Sequence, residues 1–455
     1  MRKVLFIAYY FPPITGSGVF RSLKFAKYLP EFGWQPYVIT ATEDIQLHQF
    51  DPTLLEELPD EVQVWRVPAP HPQPYTALGQ LLRRKPSVQS PPTQLSEETE
   101  SSTVTSRPPL LKPLFRTLTW PLRLIENPPV DVQLYWALRI IPLAWRLIKQ
   151  HQIDVIYTSS APWAVLLTGL ALKWLTGRPW IMDMRDPWVS DEYVCRDKGL
   201  RRKLDIRIER LALRAADRVV ISSIGFVDEL QTLAGPTVAA KVMEITNGYD
   251  EADFVIQTDE QITPVGERRW VHLGTTIWDG FVPLGDAIAR LGPDSQALQE
   301  ITFVFHGWCD PRVLEATAPN KEQFVFGPVI PHPQALALMQ EAELLILLLG
   351  AQKHWSRFYT GKIFEYLRAG KPILGIGPRG VAAELIERCG VGCFVAAHET
   401  EKLIAVLRRI AGDYPAFLAE YYHPDWDMIA QYERQALTGK LAAVFNAMLK
   451  QKAAR

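Results

Sequence analysis

Residues 3–41, KVLFIAYYFPPITGSGVFRSLKFAKYLPEFGWQPYVITA, contain the pattern that decides the fold class. The runs KVLFIAYY and WQPYVITA at the two ends of this stretch each read as a β-strand. Between them, Gly16, Ser17 and Gly18 form a turn, and apolar residues then recur at helical spacing. A strand, a glycine turn, a helix and a strand make a βαβ unit, so the stretch predicts a parallel sheet in an α/β protein.

The start of the chain, MRKVLFIAYYFPP, also has features of a signal peptide, because basic residues precede an apolar run. Pro12 and Pro13 end that run early, and no small-residue cleavage site follows at once. We therefore predict that the run is the first strand of the sheet. No stretch of roughly 18 uncharged apolar residues occurs, so the sequence predicts no transmembrane helix.

The composition is typical of a globular cytoplasmic protein with more than one domain. A chain of 455 residues is too long for one ordinary core, which predicts two domains. The formal net charge of −1 gives no electrostatic argument for binding nucleic acid. Four cysteines are too few for a disulfide framework and fit a reducing cytosol. Cys389 and Cys393 have no second Cys or His pair nearby, so the sequence indicates no metal site.

The alternation of strands and helices starts afresh in the second half of the chain. The segment RRWVHLGTT, residues 268–276, reads as a strand that ends in a glycine turn, and further strands alternate with helices after it. The sparse apolar content of residues 256–266 marks a linker between two doubly wound, Rossmann-like domains. The predicted parts are an N-terminal domain (1–260), a C-terminal domain (267–425) and a final segment (426–455) with one long helix from about Trp426 to Lys450.

Two adjoining segments of the N-terminal domain differ from the rest of the chain in composition. Residues 85–109 are rich in Ser, Thr, Pro and Glu, which predicts a disordered insertion. Residues 110–125 place large apolar side chains on one helical face and Lys112, Arg116 and Arg123 on another. This pattern fits a segment that lies on an anionic membrane surface, and it equally fits a helix docked on its own domain.

A cleft between two Rossmann-like domains is the expected ligand site, and FYTGKIFEYLRAGKPILG, residues 358–375, carries its best candidates. Thr360 is expected to cap a helix that begins after Gly361, where free backbone amides and the charge of Lys362 favour a phosphate. Glu365, one turn further on, is placed to accept hydrogen bonds from the hydroxyls of a ribose. The alternative is a solvated Lys–Glu pair of little energetic weight.

Other strand ends and turns supply further candidates. In MDMRDPW, residues 182–188, Arg185 and Asp186 follow a buried strand, either as part of a site or as an ion pair that fixes the loop. The turn at Gly16, Ser17 and Gly18 is a plausible cradle for an anion or a sugar, although such turns are common. The remaining candidates facing the cleft are Arg21, Asn247, Gly274, Thr275 and His306, of which His306 is as consistent with a structural role as with a functional one.

With these motifs in order, the sequence resembles the retaining GT-B glycosyltransferases of the glycosyltransferase group 1 (family 4) class, in particular those of bacterial polysaccharide clusters. The resemblance covers nearly the whole chain outside residues 85–110. It rests on six motifs: YYFPPITGSGVFRSLKFAKYL, TSSAPW, MDMRDPW, TNGYD, HLGTT and TGKIFEYLRAGKPIL. It implies that the final helix crosses back onto the N-terminal domain.

The resemblance also implies a reaction and a set of roles. A sugar would move from a nucleoside diphosphate to an acceptor hydroxyl with retained configuration, without a bound metal or other cofactor. Glu365 would bind the donor ribose and Lys362 the diphosphate, while Gly16 to Gly18 would lie under the transferred sugar. Arg357 stands where the family has its first motif glutamate, and would help to stabilise the departing diphosphate.

The implied partners and the competing functions follow from the same comparison. A sugar or lipid-linked acceptor would place the protein in the cytoplasm, at the inner face of the plasma membrane. A non-catalytic GT-B scaffold in a membrane assembly would also explain Arg357. A dinucleotide-dependent oxidoreductase would need a full Gly-x-Gly-x-x-Gly turn and an acid beyond it, which this sequence lacks.

Overall fold

The computed structural model describes residues 1–42, 50–69, 130–189, 199–255, 268–292 and 296–453. The predicted insertion at 85–109, the basic segment at 110–125 and the linker at 256–266 lie outside these residues. No helix within the described ranges is both long enough and apolar enough to cross a membrane.

The N-terminal half of the described chain forms one sheet in which all the strand pairs are parallel. Its strands are β1 (Arg2–Ala8), β2 (Trp34–Ala41), β3 (Gln63–Val67), β4 (Val155–Ser160), β5 (Trp180–Met184), β6 (Arg218–Ile221) and β7 (Val242–Glu244). Their spatial order is β3-β2-β1-β4-β5-β6-β7. The apolar run after Met1 is therefore β1, as predicted, and the order reverses between β1 and β4.

The C-terminal half forms a second sheet with the same parallel pairing. It contains β8 (Arg268–Leu273), β9 (Ile301–His306), β10 (Phe324–Gly327), β11 (Leu344–Leu348), β12 (Ile373–Gly377) and β13 (Gly392–Ala396). The order β10-β9-β8-β11-β12-β13 is that of a Rossmann sheet, with its reversal between β8 and β11. Two doubly wound α/β domains, as the sequence predicted, are confirmed.

Helices connect the strands and cover the sheets. The described α-helices of the first half are α1 (Ser17–Tyr28), α2 (Leu134–Arg139), α3 (Ile141–His151), α4 (Val165–Thr176), α5 (Leu200–Ala215) and α6 (Val227–Ala234). Those of the second half are α7 (Trp278–Leu291), α8 (Gln296–Gln299), α9 (Pro311–Thr317), α10 (His332–Glu341), α11 (Lys362–Arg368), α12 (Val381–Arg388), α13 (Thr400–Gly412), α14 (Tyr414–Tyr421), α15 (Trp426–Ala430) and α16 (Arg434–Ala453). Short 3₁₀ turns include Ile224–Phe226, Glu251–Val255 and Lys353–Arg357.

The final helical segment differs from the sequence prediction. One long helix was expected from Trp426, but the structure has α15 and α16 with a break between Ala430 and Arg434. At the break, the backbone N–H of Tyr249 donates to the carbonyl of Tyr432 (3.2 Å), and the N–H of Arg434 donates to the carbonyl of Tyr249 (2.7 Å). The chain leaves the helix there because its peptide groups bond to another segment.

Beyond the break, α16 packs on the first domain although it follows the second in sequence. Phe445 lies edge-on against Trp34, with ring centroids 5.1 Å apart. Leu437 and Leu441 are buried in the same apolar cluster as Val4 and other residues of β1. Tyr249, in contrast, is buried in the core of the second domain. The chain therefore passes between the domains twice, side by side.

Candidate functional site

Glycine turns follow the central strand of each sheet, at the points where the strand order reverses. After β1, Gly16 has φ 143°, and after β8, Gly274 has φ 129°, a backbone region that favours glycine. In open parallel sheets, ligands bind beyond the carboxyl ends of the strands at such reversal points. The two turns therefore mark the expected ligand-binding edges of the two domains.

The first turn is in contact with Arg185, which follows β5. A Cβ atom at Gly18 would lie 1.6 Å from Nη1 of Arg185, so a larger residue would collide with the guanidinium. Arg185 also donates from Nε to the carbonyl of Ser160 (2.9 Å) and from Nη2 to that of Ala161 (2.6 Å). Burial lowers the pKa of Arg185. The side chain thus holds the end of β4 and the glycine turn together, while its neighbour Asp186 is exposed.

Arg21 does not face the cleft, contrary to the sequence prediction. Its side chain is fully buried and donates to both carboxylate oxygens of Asp183, at 3.0 and 2.8 Å, and to the carbonyl of Thr246 at 2.8 Å. Tyr157 donates a further hydrogen bond to Asp183 (2.6 Å). The guanidinium with these partners forms a buried ion pair that joins α1 to β5.

In the second domain, Lys362 lies directly over the second glycine turn. A Cβ atom at Gly274 would be 2.3 Å from Nζ of Lys362, so the ammonium group occupies the space that a side chain there would need. The N–H of Leu273 donates to the hydroxyl of Tyr366 (2.9 Å), which ties α11 to the end of β8. Within the described residues, Lys362 forms no ion pair at 4 Å or less. Burial lowers its pKa, opposed by the charge of Glu365.

The start of α11 is simpler than the sequence suggested. The helix does begin at Lys362, but its N-cap is Gly361, which makes no side-chain cap. The hydroxyl of Thr360 is buried without a hydrogen-bond partner among the described residues, so the prediction that Thr360 caps the helix is wrong. With only seven residues, α11 contributes a weak dipole. The charge of Lys362 is therefore the main feature that attracts an anion here.

Glu365 pairs with His332 rather than with Lys362. Nε2 of His332, the first residue of α10, donates to Oε1 of Glu365 at 2.9 Å, and the two side chains are 30% and 22% exposed. The ring of Phe20 in α1 lies against the imidazole, with centroids 5.3 Å apart. The carboxylate, the imidazole and the phenyl ring therefore make consecutive contacts that link the second domain to the first.

Arg357 is also part of a contact between the domains. Its guanidinium forms an ion pair with Glu229 of α6, and its carbonyl accepts a hydrogen bond from the hydroxyl of Ser223 (2.6 Å). Phe358 packs on Phe226, with ring centroids 5.0 Å apart. These contacts join the 3₁₀ turn before α11 to the start of α6.

The remaining predicted residues take varied positions. His306 donates from Nδ1 to the carbonyl of Pro328 (3.1 Å), a contact within the second domain. Thr275 is exposed, directly after Gly274. Oδ1 of Asn247 is buried and has no hydrogen-bond partner in the described part of the chain. Of these three residues, Thr275 is exposed to solvent, Asn247 has a buried oxygen without a partner in the described residues, and His306 makes a bond within its own domain.

One group of described acidic side chains is close enough to share a cation: Glu57, Asp250 and Asp253. The ammonium of Lys24 already lies among them, at 2.7 Å from Glu57, 2.7 Å from Asp250 and 2.8 Å from Asp253. Lys27 contacts Glu57 at 2.8 Å as well. The two lysines neutralise most of the charge of the three carboxylates, and their ion pairs fix α1 against the segment after β7.

Sequence reasoning missed His332 and Glu229. Each is one polar residue at the start of a helix, a position where polar residues are common, and neither lies in a motif. Their partners, Glu365 and Arg357, are distant in sequence and were singled out. The signal available in the sequence was that Glu365 and Arg357 each require a partner of complementary charge. The sequence does not show which helices face these two residues, so the partners could not be named.

The fold has the GT-B architecture: two Rossmann-like domains, each with a glycine turn after its central strand, and a C-terminal helix that returns to the first domain. Residues 100–248 match the family model of the glycosyl transferase 4-like domain. No curated protein sequence matches the chain significantly.

Solved structures with the same fold cover nearly the whole chain. Sucrose-phosphate synthase from Thermosynechococcus elongatus is 13% identical, with a TM-score of 0.63 over 99% of this chain and 100% of that one. A glycosyltransferase from Rickettsia africae is 15% identical, with a TM-score of 0.60 over 99% of both chains. A UDP-N-acetylglucosamine 2-epimerase from Listeria monocytogenes, named as putative, is 11% identical, with a TM-score of 0.55 over 99% of this chain and 97% of that one. The fold is thus shared by enzymes with different activities, whereas the domain match supports a glycosyltransferase.

Proposed function

We propose that the protein is a retaining glycosyltransferase that transfers a sugar from a nucleoside-diphosphate sugar to an acceptor hydroxyl. The observation that carries the proposal is the position of Lys362, whose ammonium lies on the glycine turn at Gly274, without an ion pair among the described residues. A partly buried cation beside a glycine turn, one helical turn from a carboxylate, suits a diphosphate attached to a ribose.

In this proposal the second domain holds the donor. Gly274 lets the diphosphate approach the backbone at the end of β8, and Lys362 contacts its oxygens. Because Lys362 is already in place, it stabilises the negative charge that develops on the departing diphosphate at little cost of reorganisation. A bound diphosphate also stabilises the ammonium of Lys362 and raises its pKa toward the ordinary value for lysine. Glu365 accepts hydrogen bonds from the ribose hydroxyls.

In this proposal the first domain holds the transferred sugar and the acceptor. The turn at Gly16, Ser17 and Gly18, supported by Arg185, lies under the transferred sugar, and the exposed Asp186 orients the sugar or the acceptor. The chemistry requires no metal ion. The acceptor is a sugar or a lipid-linked sugar in polysaccharide or glycolipid biosynthesis, at the cytoplasmic face of the plasma membrane.

A second candidate is a non-catalytic GT-B scaffold that binds nucleotides. The pairing of Arg357 with Glu229 favours it, because the position of the first motif glutamate then serves to join the domains. Nucleotide binding is common to both candidates, and turnover of the donor is not.

Two measurements test the proposal. Titration calorimetry with UDP, GDP, ADP, CDP and dTDP is expected to reveal one preferred base, and binding of none of them would refute a donor site. The corresponding nucleotide sugars are then incubated with the protein and the released diphosphate is measured, with and without EDTA. We expect slow, EDTA-insensitive hydrolysis. Binding without release would favour the scaffold, and conversion of the sugar to its epimer would indicate an epimerase.

A further inference from the structure

The pair formed by His332 and Glu365 involves only one of the two carboxylate oxygens. Oε1 of Glu365 accepts the hydrogen bond from Nε2 of His332 at 2.9 Å, whereas no hydrogen bond reaches Oε2 within the described residues. The side chain of Glu365 remains 22% exposed, so Oε2 is accessible to a ligand. An anchored carboxylate has lost its freedom to rotate before the ligand arrives, which lowers the entropic cost of binding.

The imidazole itself is held from the other domain. The ring of Phe20 packs on it at a centroid distance of 5.3 Å and an interplanar angle of 36°. Phe20 lies in the first turn of α1, two residues after Gly18. The position of the carboxylate in the second domain therefore depends on a side chain of the first domain next to the glycine turn.

Nε2 must carry a proton to donate to a carboxylate, so the hydrogen bond selects the neutral Nε2–H tautomer or the imidazolium. Burial alone would lower the pKa of His332, but the hydrogen bond and the charge of Glu365 outweigh it, and the pKa is raised. Asp253 and Lys24 also act on His332, with opposite signs. Donation to Glu365 is possible in both protonation states, so the bond persists on either side of neutral pH.

We infer that His332 is a positioning residue for ribose recognition: it fixes Oε1 of Glu365 so that Oε2 meets the ribose hydroxyls, and Phe20 couples this arrangement to closure of the domains. This inference rests on the proposed function, because it presumes that a nucleoside diphosphate binds beside Glu365. It adds a residue of α10 and one of α1 to the donor site.

The test measures recognition of the hydroxyls alone. The dissociation constant of the nucleoside diphosphate that binds best among UDP, GDP, ADP and CDP is compared with that of its 2′,3′-dideoxy analogue. Phosphate and base contacts are the same for both ligands, so the ratio of the two constants isolates the ribose. We expect a ratio of about ten or more in the wild type, since hydrogen bonds to a charged group are among the stronger ones.

Two variants with similar amide side chains separate positioning from structure. The amide of His332→Gln reaches the place of Nε2 and keeps an N–H donor, whereas that of His332→Asn ends short of Glu365. We expect the ratio to fall to about two in His332→Asn and to recover most of its value in His332→Gln. Phe20→Leu, which leaves both partners of the hydrogen bond in place, is expected to give an intermediate ratio. Melting temperatures report whether each variant is folded.

The outcomes distinguish failure of the proposed function from failure of the inference about His332. If the wild type binds no nucleoside diphosphate, the proposed function fails and this inference fails with it. If the wild type binds but does not discriminate the dideoxy ligand, or if His332→Asn discriminates as well as the wild type, only the inference is overturned. A lower melting temperature in His332→Asn with an unchanged ratio would assign the pair to stability alone.

Discussion

The guanidinium of Arg357 in the second domain forms an ion pair with the carboxylate of Glu229 in the first. The two side chains are 32% and 25% exposed, and the hydrogen bond from Ser223 to the carbonyl of Arg357 lies next to them. Arg357 ends the 3₁₀ turn before α11, and its partner is a glutamate in the first turn of α6. The pair therefore joins the two domains with complementary charges, next to the 3₁₀ turn that precedes α11.

An exchange of the two charges tests whether Arg357 joins the domains or contacts the donor. Arg357→Glu places two carboxylates together and should lower the free energy of unfolding by about 1 kcal/mol, the upper range for a partly exposed pair. Combining it with Glu229→Arg should restore both the stability, measured by urea unfolding, and the affinity for the nucleotide. Restored stability with an affinity that stays low would instead place the guanidinium on the donor diphosphate.

Removal of the Glu365 carboxylate should weaken nucleotide binding. Loss of its hydrogen bonds to the ribose is expected to cost about 1.5–3 kcal/mol, which is at least about tenfold in the dissociation constant. Glu365→Ala should show this loss in titration calorimetry with little change in melting temperature. Glu384→Ala is the matched control, because Glu384 is an exposed glutamate in the first turn of α12. Equal affinities of the two variants would return Glu365 to a purely structural pair with His332.

The contact between Gly274 and Lys362 makes a backbone position sensitive to one methyl group. In Gly274→Ala, the new Cβ would lie 2.3 Å from Nζ of Lys362 at a φ of 129°, so the ammonium must move away and the backbone is strained. We expect diphosphate affinity to fall about as far as in Lys362→Met, on the order of tenfold or more. Gly412→Ala, at the end of α13 with open space around it, should bind as the wild type does. A Gly274→Ala protein with normal affinity would show that Lys362 does not contact the diphosphate.

The pair between His332 and Glu365 should also make stability depend on pH. The pKa of His332 is raised in the folded state above its ordinary value of 6.5. A raised pKa means that the protonated form stabilises the fold below the unfolded pKa and that this contribution is lost as the pH rises through the folded pKa. The difference in unfolding free energy between wild type and His332→Gln should therefore shrink as the pH rises from below 6.5 through the folded-state pKa of His332. A difference that is constant over this range would contradict the assignment.

Attachment to a membrane is predicted from the segment at 110–125, which lies outside the described residues. Its basic side chains, Lys112, Arg116 and Arg123, should each contribute about 1 kcal/mol at an anionic surface, in addition to apolar insertion. We expect salt-sensitive sedimentation with anionic liposomes, weakened when all three residues are changed to glutamate. If wild type and triple variant sediment equally, this mode of attachment is excluded, and a helix docked on its own domain becomes the better interpretation.

Most strands could be predicted from the sequence because they are short apolar runs that are buried on both faces, whereas β3 (Gln63–Val67), which is half-buried throughout, does not stand out in this way. The runs ending at Ala8, Leu273 and Leu348 are examples. The restart of βα alternation at Arg268 gave the second domain. The break before Arg434 could not be predicted, because it depends on hydrogen bonds to Tyr249, a residue far away in the sequence.

The candidate site could be predicted only as far as single strands and helices determine it. Lys362 lies beside Gly274 because α11 packs against the end of β8, and both motifs had been singled out. The prediction for Arg21 differs from the structure because helical spacing shows on which face of α1 the side chain lies, but not which residue of another element it contacts. Its partner, Asp183, is on β5, two strands from β1 in the sheet, and this ion pair holds the Arg21 side chain in the core. His332 was missed for the same reason, since its partner is on a different helix.

The two passages of the chain between the domains lie beside each other at Tyr249 and are tied by backbone hydrogen bonds to Tyr432 and Arg434. Two adjacent covalent connections define a hinge axis: they permit rotation of the domains about the line that joins them, and they resist sliding and twisting. Either connection alone would permit all three movements. A chain cut between Tyr432 and Arg434 is therefore expected to keep both folded domains, with α16 still packed against α1 and β1 of the first, but to lose the single axis about which the domains open.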